Sequence, residues 1–183
     1  MLSIRDIVTQ INTKLSTVFT VGFKPYGIAK TVTRGAETLP SIDETYIGID
    51  DINALQVYHK LNTINLTQKT NSGYGDDIYY NINTYRLSMI AFNNKKRTKL
   101  NDDELALIIQ SAFPKIITSD YLSVRNTMTG VILNSQSIYA QEYKSERYRL
   151  DENQSLFQIE YNTEIIFKTD CLVLCPEDLT CKN

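Results

Sequence analysis

Histidine is nearly missing from this chain: His59 is the only one in 183 residues. A hydrolytic triad or a histidine-based metal site would have to be built around that one ring, and no motif supplies partners for it. His59 falls in a segment patterned as a strand, where a surface or half-buried position is expected. Cysteine is scarce too. Cys171, Cys175 and Cys181 are the full set, and all lie in the last 13 residues. Structural zinc takes Cys-x2-4-Cys pairs in two sets, and here the fourth ligand is missing. In an extended chain Cys171 and Cys175 would stand about 13 Å apart, too far for one ion unless the chain turns. An odd, clustered set with no visible export signal reads as reduced thiols in a cytosol.

Long apolar runs are lacking as well. None approaches the roughly 20 residues of a membrane span. The first apolar segment, Ile4 to Val18, is broken by Arg5, Asp6, Gln10, Asn12 and Lys14, so it does not read as the apolar part of a signal peptide. Charge of one sign is not in excess: 19 Lys+Arg stand against 21 Asp+Glu, a net charge of -2. That balance gives no global pull toward nucleic acid or an anionic membrane. Glycine is sparse, and Gly22, Gly27, Gly35, Gly48, Gly73, Gly75 and Gly130 fall into no phosphate-binding or dinucleotide spacing. What remains is an ordinary globular composition, 42% hydrophobic and 22% charged, in a chain long enough for one domain over residues 1–183. A chain of this size buries roughly 70% of its unfolded surface, so it needs no staples.

Two segments carry helical periodicity. Ile4, Ile7, Val8, Ile11, Leu15 and Val18 make one stripe, with Ser3 and Asp6 spaced as a capping box, so a helix is predicted over 3–18. Asn101 followed by Asp102, Asp103 and Glu104 is an N-cap with an acidic first turn. Leu105, Ile108, Ile109 and Ala112 then give the apolar face of a helix over 102–113 that Pro114 ends. Elsewhere the period is two. Strands are predicted over Tyr26 to Arg34, Thr38 to Ile42, Thr45 to Ile49, Leu55 to Leu66 and Ile78 to Phe92. The last of these switches parity near Asn83, which suggests a bulge or a change of buried face there. Lys69 to Asp77, with two glycines, reads as a turn or mobile loop. Shorter extended pieces follow around 121–125, 130–133 and 137–143. The clearest strand is the last, where Phe157, Ile159, Tyr161, Thr163, Ile165 and Phe167 alternate with Gln158, Glu160, Asn162 and Glu164. One face on a core and one in water is the pattern of an antiparallel sheet. The fold class is therefore α+β: an antiparallel sheet with an N-terminal helix and a central helix packed on it.

Few constellations could carry chemistry. Asp50-Asp51, Asp76-Asp77 and Asp102-Asp103 are acidic pairs, but a two-metal site needs carboxylates converging on ions about 4 Å apart. Asp102-Asp103 is explained by its helix start, and the others flank turn-like segments. The sequence thus points to no catalytic residue, cofactor or metal. The run Lys95-Lys96-Arg97-Thr98-Lys99 offers four positive charges for phosphates or for a subunit contact. As a strand-to-helix loop it would equally be a solvated turn beside an acidic one. Residues 139–153 hold Tyr139, Tyr143, Arg147, Tyr148 and Arg149, the residue types enriched at protein interfaces. The segment is longer than a hairpin needs, so a protruding β-hairpin arm clasping a neighbour and a plain polar hairpin are both open.

The stretch Tyr85-Arg-Leu-Ser-Met-Ile-Ala-Phe-Asn-Asn94, the helix from Asp102 to Phe113, and Phe157-Gln-Ile-Glu-Tyr-Asn-Thr-Glu-Ile-Ile-Phe167 together resemble tail-terminator and tail-completion (neck) proteins of tailed bacteriophages. Tyr-Gly-Ile-Ala-Lys from Tyr26 and Ile-Gly-Ile-Asp-Asp from Ile47 fit the same order. Isoleucine (21) and asparagine (15) far outnumber alanine (7), similar to phages with A/T-rich genomes, including crAss-like phages. The resemblance covers most of the chain by element order, but it rests on no signature motif, and the 139–153 segment has no match in it. It implies a structural virion protein, made in the host cytoplasm and placed in the neck or tail. Copies would form a ring of six or twelve between portal-side and tail-side proteins, with genome DNA passing the lumen without sequence-specific binding. Tyr139, Tyr143, Arg147, Tyr148 and Arg149 are then the expected interface, and Lys95, Lys96, Arg97 and Lys99 the expected channel or subunit-contact loop. The other reading is a small nucleic-acid-binding module using 95–99; bound divalent metal would instead favour an enzyme built on the acidic pairs.

Overall fold

The computed structural model describes residues 3–73, 76–119, 122–144 and 148–168, with the backbone alone described at 69–73, 76–80, 116–119, 122 and 168. Helix α1 (Ile4–Ser16) starts where the sequence places it. The Ser3 N–H donates to the Asp6 carboxylate at 2.7 Å, and the Asp6 N–H donates back to Ser3 Oγ at 3.2 Å. Ile7, Val8, Ile11 and Leu15 are buried along one face. The chain leaves the helix through Gly22, whose φ is +67°. A Cβ there would lie 2.9 Å from the backbone nitrogen of Ala54, so both conformation and space call for glycine.

Strands β1 (Phe23–Ile28), β2 (Lys30–Arg34), β3 (Glu37–Ile42), β4 (Thr45–Tyr46), β5 (Leu55–Gly73) and β6 (Asp76–Asn94) follow. A one-turn helix α2 (Lys95–Thr98) leads to α3 (Asp102–Ala112), then β7 (Ile116–Ser119), β8 (Leu122–Ile132), α4 (Ser135–Glu142) and β9 (Gln154–Lys168). The main sheet has the order β1-β5-β6-β9-β8-β7, and β2-β3-β4 form a second, three-stranded antiparallel sheet. The main sheet is antiparallel except at one edge, where β1 runs parallel to β5, so it is mixed.

The class and the two packed helices agree with the sequence. Ile7, Val8, Ile11 and Leu15 of α1 and Leu105, Ala106 and Ile109 of α3 form one core with Leu87, Met89, Phe157, Ile159 and Tyr161 of the sheet. On β9, Phe157, Ile159, Tyr161 and Ile165 are buried on that face and Phe167 packs at its margin. The opposite face is not simply in water. Tyr58, Ile90, Phe92 and Leu156 point away from α1 and α3 and meet Leu39, Ile47, Ile138 and Tyr143 in a second core. The three-stranded sheet and α4 thus make a third layer over one end of the sheet. None of the described helices is long and apolar enough to cross a membrane.

Several local expectations are corrected. The segment 137–143 is not extended but lies in α4, whose start is capped by Asn134 Oδ1 accepting from the Ser137 N–H at 3.1 Å. The described residues of 139–153 therefore form no hairpin arm. Lys69 to Asp77 is no broad loop, because β5 runs on to Gly73 and β6 begins at Asp76. Among the described residues β6 itself carries no slip near Asn83: register shifts lie in β1 between Pro25 and Ile28, in the β5 pairing with β6 between Leu61 and Thr63, and in the β8 pairing with β9 between Met128 and Gly130. The last two concern the middle of the sheet. These two slips stand at one level, because Leu87 of β6 pairs with both Leu61 and Tyr161, and Tyr161 pairs with Met128.

Candidate functional site

Of the residues singled out at 139–153, Tyr139 lies in α4 and Tyr143 and Tyr148 follow it, and the three tyrosines gather against the second core. Tyr143 is buried in the second core, where its ring stands 6.1 Å from that of Tyr139 and 6.2 Å from that of Tyr148. Burial raises its phenol far above the ordinary value. A side chain held there cannot reach another chain without opening the core, so Tyr143 is withdrawn as an interface residue. Tyr139 and Tyr148 are half-buried against the same cluster. The Tyr148 hydroxyl lies where a Cβ on Gly48 would stand, at 2.8 Å, which accounts for glycine in the Ile47–Asp51 segment. Arg149 is exposed, and Arg147 lies outside the described residues. The tyrosines that suggest a Tyr- and Arg-rich hairpin arm instead pack against the second core. Nothing in Ser-Gln-Ser-Ile-Tyr-Ala-Gln-Glu separates an apolar stripe from a polar one, so periodicity could not reveal the helix.

The basic run folds as α2 and the residue after it, with Lys99 in the left-handed region at φ 59°. Two of its four charges meet local acceptors. Lys96 pairs with Asp151 at 3.7 Å, both largely exposed, and Arg97 Nε donates to the Asp51 carbonyl at 2.6 Å. The Asp51 carboxylate accepts from Gln154 Nε2. The acidic pairs are held apart by different tasks. Asp102 accepts from Asn93 Nδ2 at 2.8 Å and from Ser155 Oγ at 2.6 Å. Asp50 accepts from the Asn53 backbone and side chain and pairs with Lys24 at 3.3 Å. Burial works against its charge, but those Asn53 hydrogen bonds and the Lys24 ammonium outweigh it and hold Asp50 below its usual range. The side chains of Asp76 and Asp77 and all three cysteines lie outside the described residues. Among the described residues no group of three or more His, Cys, Asp or Glu stands close enough to share a metal ion.

His59 is not at the surface or half-buried; it is fully buried between α1 and the sheet. Its environment defines its proton. Asn12 Nδ2 donates to the Tyr26 carbonyl at 2.7 Å, which turns Asn12 Oδ1 toward His59 Nε2 at 2.9 Å. That oxygen only accepts, so Nε2 carries the hydrogen and Nδ1 accepts from the Tyr161 hydroxyl at 2.8 Å. The chain of donors runs one way and needs a neutral ring. Burial lowers the His59 pKa to about 3 and raises the Tyr161 hydroxyl far above its ordinary value. A second buried node sits under α4. Glu142 accepts from Lys60 Nζ at 2.5 Å, from Thr31 at 3.2 Å and from Tyr58 at 3.3 Å. It ties α4 to β5 and to the small sheet. Both nodes are internally satisfied and offer no free group to a substrate.

The groups left open are at the sheet's margins. Beyond His59, where β1 ends its pairing, no strand of the described residues lies against the outer edge of β5. Beyond Arg125, where β7 ends, the outer edge of β8 has no strand either. Both edges carry exposed aliphatic side chains: Ile64 (50%) and Leu66 (73%) on β5, and Val131 (47%) on β8, with Ile132 and Leu133 beside it. Three shallow clefts adjoin these margins. One of about 350 Å³ lies between the end of α3 and β8, lined by Phe113, Lys115, Arg125 and Met128. One of about 430 Å³ lies at the bulge level, lined by Asn62, Arg86, Thr129 and Glu160. The third, about 410 Å³, is lined by Leu66, Asn81, Asn83 and Phe167. Sequence patterning found β5 and β8 but not their exposed edges, since strand order is a property of the whole fold. No family model matches this chain. No curated protein matches it either.

Proposed function

We propose that this protein is a structural assembly subunit without catalytic activity, whose copies close into a ring. On the resemblance, the ring stands in the neck or tail of a tailed phage, between portal-side and tail-side proteins, with DNA passing through. The observation that supports this reading best is that, among the described residues, no strand covers the outer edge of β5 or of β8, at opposite sides of one six-stranded sheet. An uncovered strand edge presents unpaired backbone groups, and monomeric proteins blunt such edges with charge, proline or bulges. Here the open run of β5, Lys60–Gly73, contains two charged residues, Lys60, which is paired with Glu142, and Lys69, and Thr127–Leu133 contains none; neither has a proline, and each carries one bulge. Two different patches on one chain are what a head-to-tail contact requires, and rotation that closes gives a ring. By light scattering the purified protein alone is expected at two or more times 21.0 kDa, or, in a complex with proposed neck or tail partners, at two or more copies of 21.0 kDa after the partners' mass is subtracted, with six or twelve copies favoured by the resemblance. A single-chain mass under both conditions would overturn the reading.

A further inference from the structure

We infer that the subunit contact is made by strand addition, the outer edge of β5 in one copy pairing antiparallel with the outer edge of β8 in the next, so that the main sheet continues from chain to chain. The inference rests on the ring reading and names its contact. Strand direction supports it. β5 and β9 run one way, β6 and β8 the other. A neighbour placed by rotation about an axis to which the strands are tilted, as in a barrel, keeps its β5 running close to the direction of this chain's β5. Its β5 therefore runs opposite to this chain's β8, and the up-down alternation passes through the join unbroken. The face also matches. Through the ladder Ile64–Tyr85–Thr163, Ile64 stands on the α1/α3 side of the sheet, and Val131 stands on that side through Ile159. Pairing the two edges sets these exposed aliphatic residues side by side as cross-strand neighbours.

The open run on β8, Thr127 to Ile132, is of ordinary strand length, and the open run on β5 is longer. The two runs lie at different levels of the sheet: Asn126 is level with Ile64, while β5 continues to Gly73 beyond it. Joining them offsets each copy along the strand from the last. Stagger of this kind is what closure of a sheet into a barrel demands. A two-fold contact of β5 with β5 would also be antiparallel, but it would leave Val131, Ile132 and Leu133 uncovered.

The test uses single and paired cysteines in the full chain with Cys171, Cys175 and Cys181 changed to serine. Thr63→Cys with Ile132→Cys, joined by a short bismaleimide that tolerates a shift of two residues, is expected to give a ladder of linked chains. Each single variant alone is expected to stay unlinked. Linked dimers from Thr63→Cys alone would replace the inference with a two-fold contact, and no linkage in the double variant would overturn it. Leu66→Lys, at an exposed position, is expected to keep the monomer's circular dichroism and thermal midpoint while reducing linkage at least tenfold; unchanged linkage would overturn the inference. A ladder that never closes to one terminal species keeps the contact and removes the ring. A closed oligomer by mass with no linkage keeps the ring and removes the contact.

Discussion

The one-way hydrogen-bond chain through His59 makes acid stability a direct readout of the core. The ring is fully buried and its pKa is lowered to about 3, against 6.5 in the open chain. A base whose folded pKa is depressed contributes its full stability above the unfolded pKa. As the pH falls from about 6.5 toward 3, the unfolded chain takes up a proton that the folded chain refuses, at about 1.4 kcal/mol per pH unit. Between pH 7.5 and 4.5 this one group removes about 2–3 kcal/mol. Protonation opposes this arrangement, because it buries a charge and forces the Tyr161 hydroxyl to turn from donor to acceptor and give up the Nδ1 acceptor of its own hydrogen. His59→Gln keeps an amide able to donate toward Asn12 and accept from Tyr161, and does not titrate. Urea unfolding of both proteins across that range isolates the term. Asp6 and Asp50, both held below their usual range, also lose their contribution in acid, but equally in the two proteins. The gap between wild type and variant is expected to shrink by about 2–3 kcal/mol from pH 7.5 to 4.5. Parallel stability curves would refute a buried neutral His59.

Other consequences follow from packing. Phe157→Ala and Ile165→Ala, on the buried face of β9, are expected to cost roughly 2–5 kcal/mol each in denaturant unfolding, and losses below about 0.5 kcal/mol at both would show that this is the wrong face. Gly22→Ala meets both a positive φ and the Ala54 backbone, and is expected to cost about 1–3 kcal/mol by the same measurement. Glu142→Leu leaves Lys60, Tyr58 and Thr31 without their acceptor; a loss of about 1–3 kcal/mol is expected, at the lower end because Lys60 keeps some contact with water. Replacing all three cysteines by serine is expected to leave assembly and zinc content unchanged, read by mass and by metal analysis.

Legibility in the sequence followed the range of the interactions. The caps of α1 and α3 are written in residues three apart, and both helices stand where those signals put them. β9 alternates over eleven residues, and its buried face was plain. The second core was hidden, because Leu156, Ile90 and Phe92 sit on parities that look solvated until α4 and the small sheet are brought over them. His59 was misplaced for the same reason: a lone polar ring is buried only when Asn12 and Tyr161, 47 and 102 positions away, converge on it. Tyr139, Tyr143 and Tyr148 read as an interface from their type, yet the same chemistry serves a core with half-open edges. The open edges of β5 and β8 depend on which strands lie last in the sheet, and no local pattern encodes that.

Cryo-electron microscopy of the protein assembled alone, or reconstituted with the portal-side and tail-side proteins proposed as its partners, tests the central claim most directly. A closed ring of copies around a channel is expected, with the β5 edge of each chain against the β8 edge of the next. Copies that never touch one another in the assembly would contradict it.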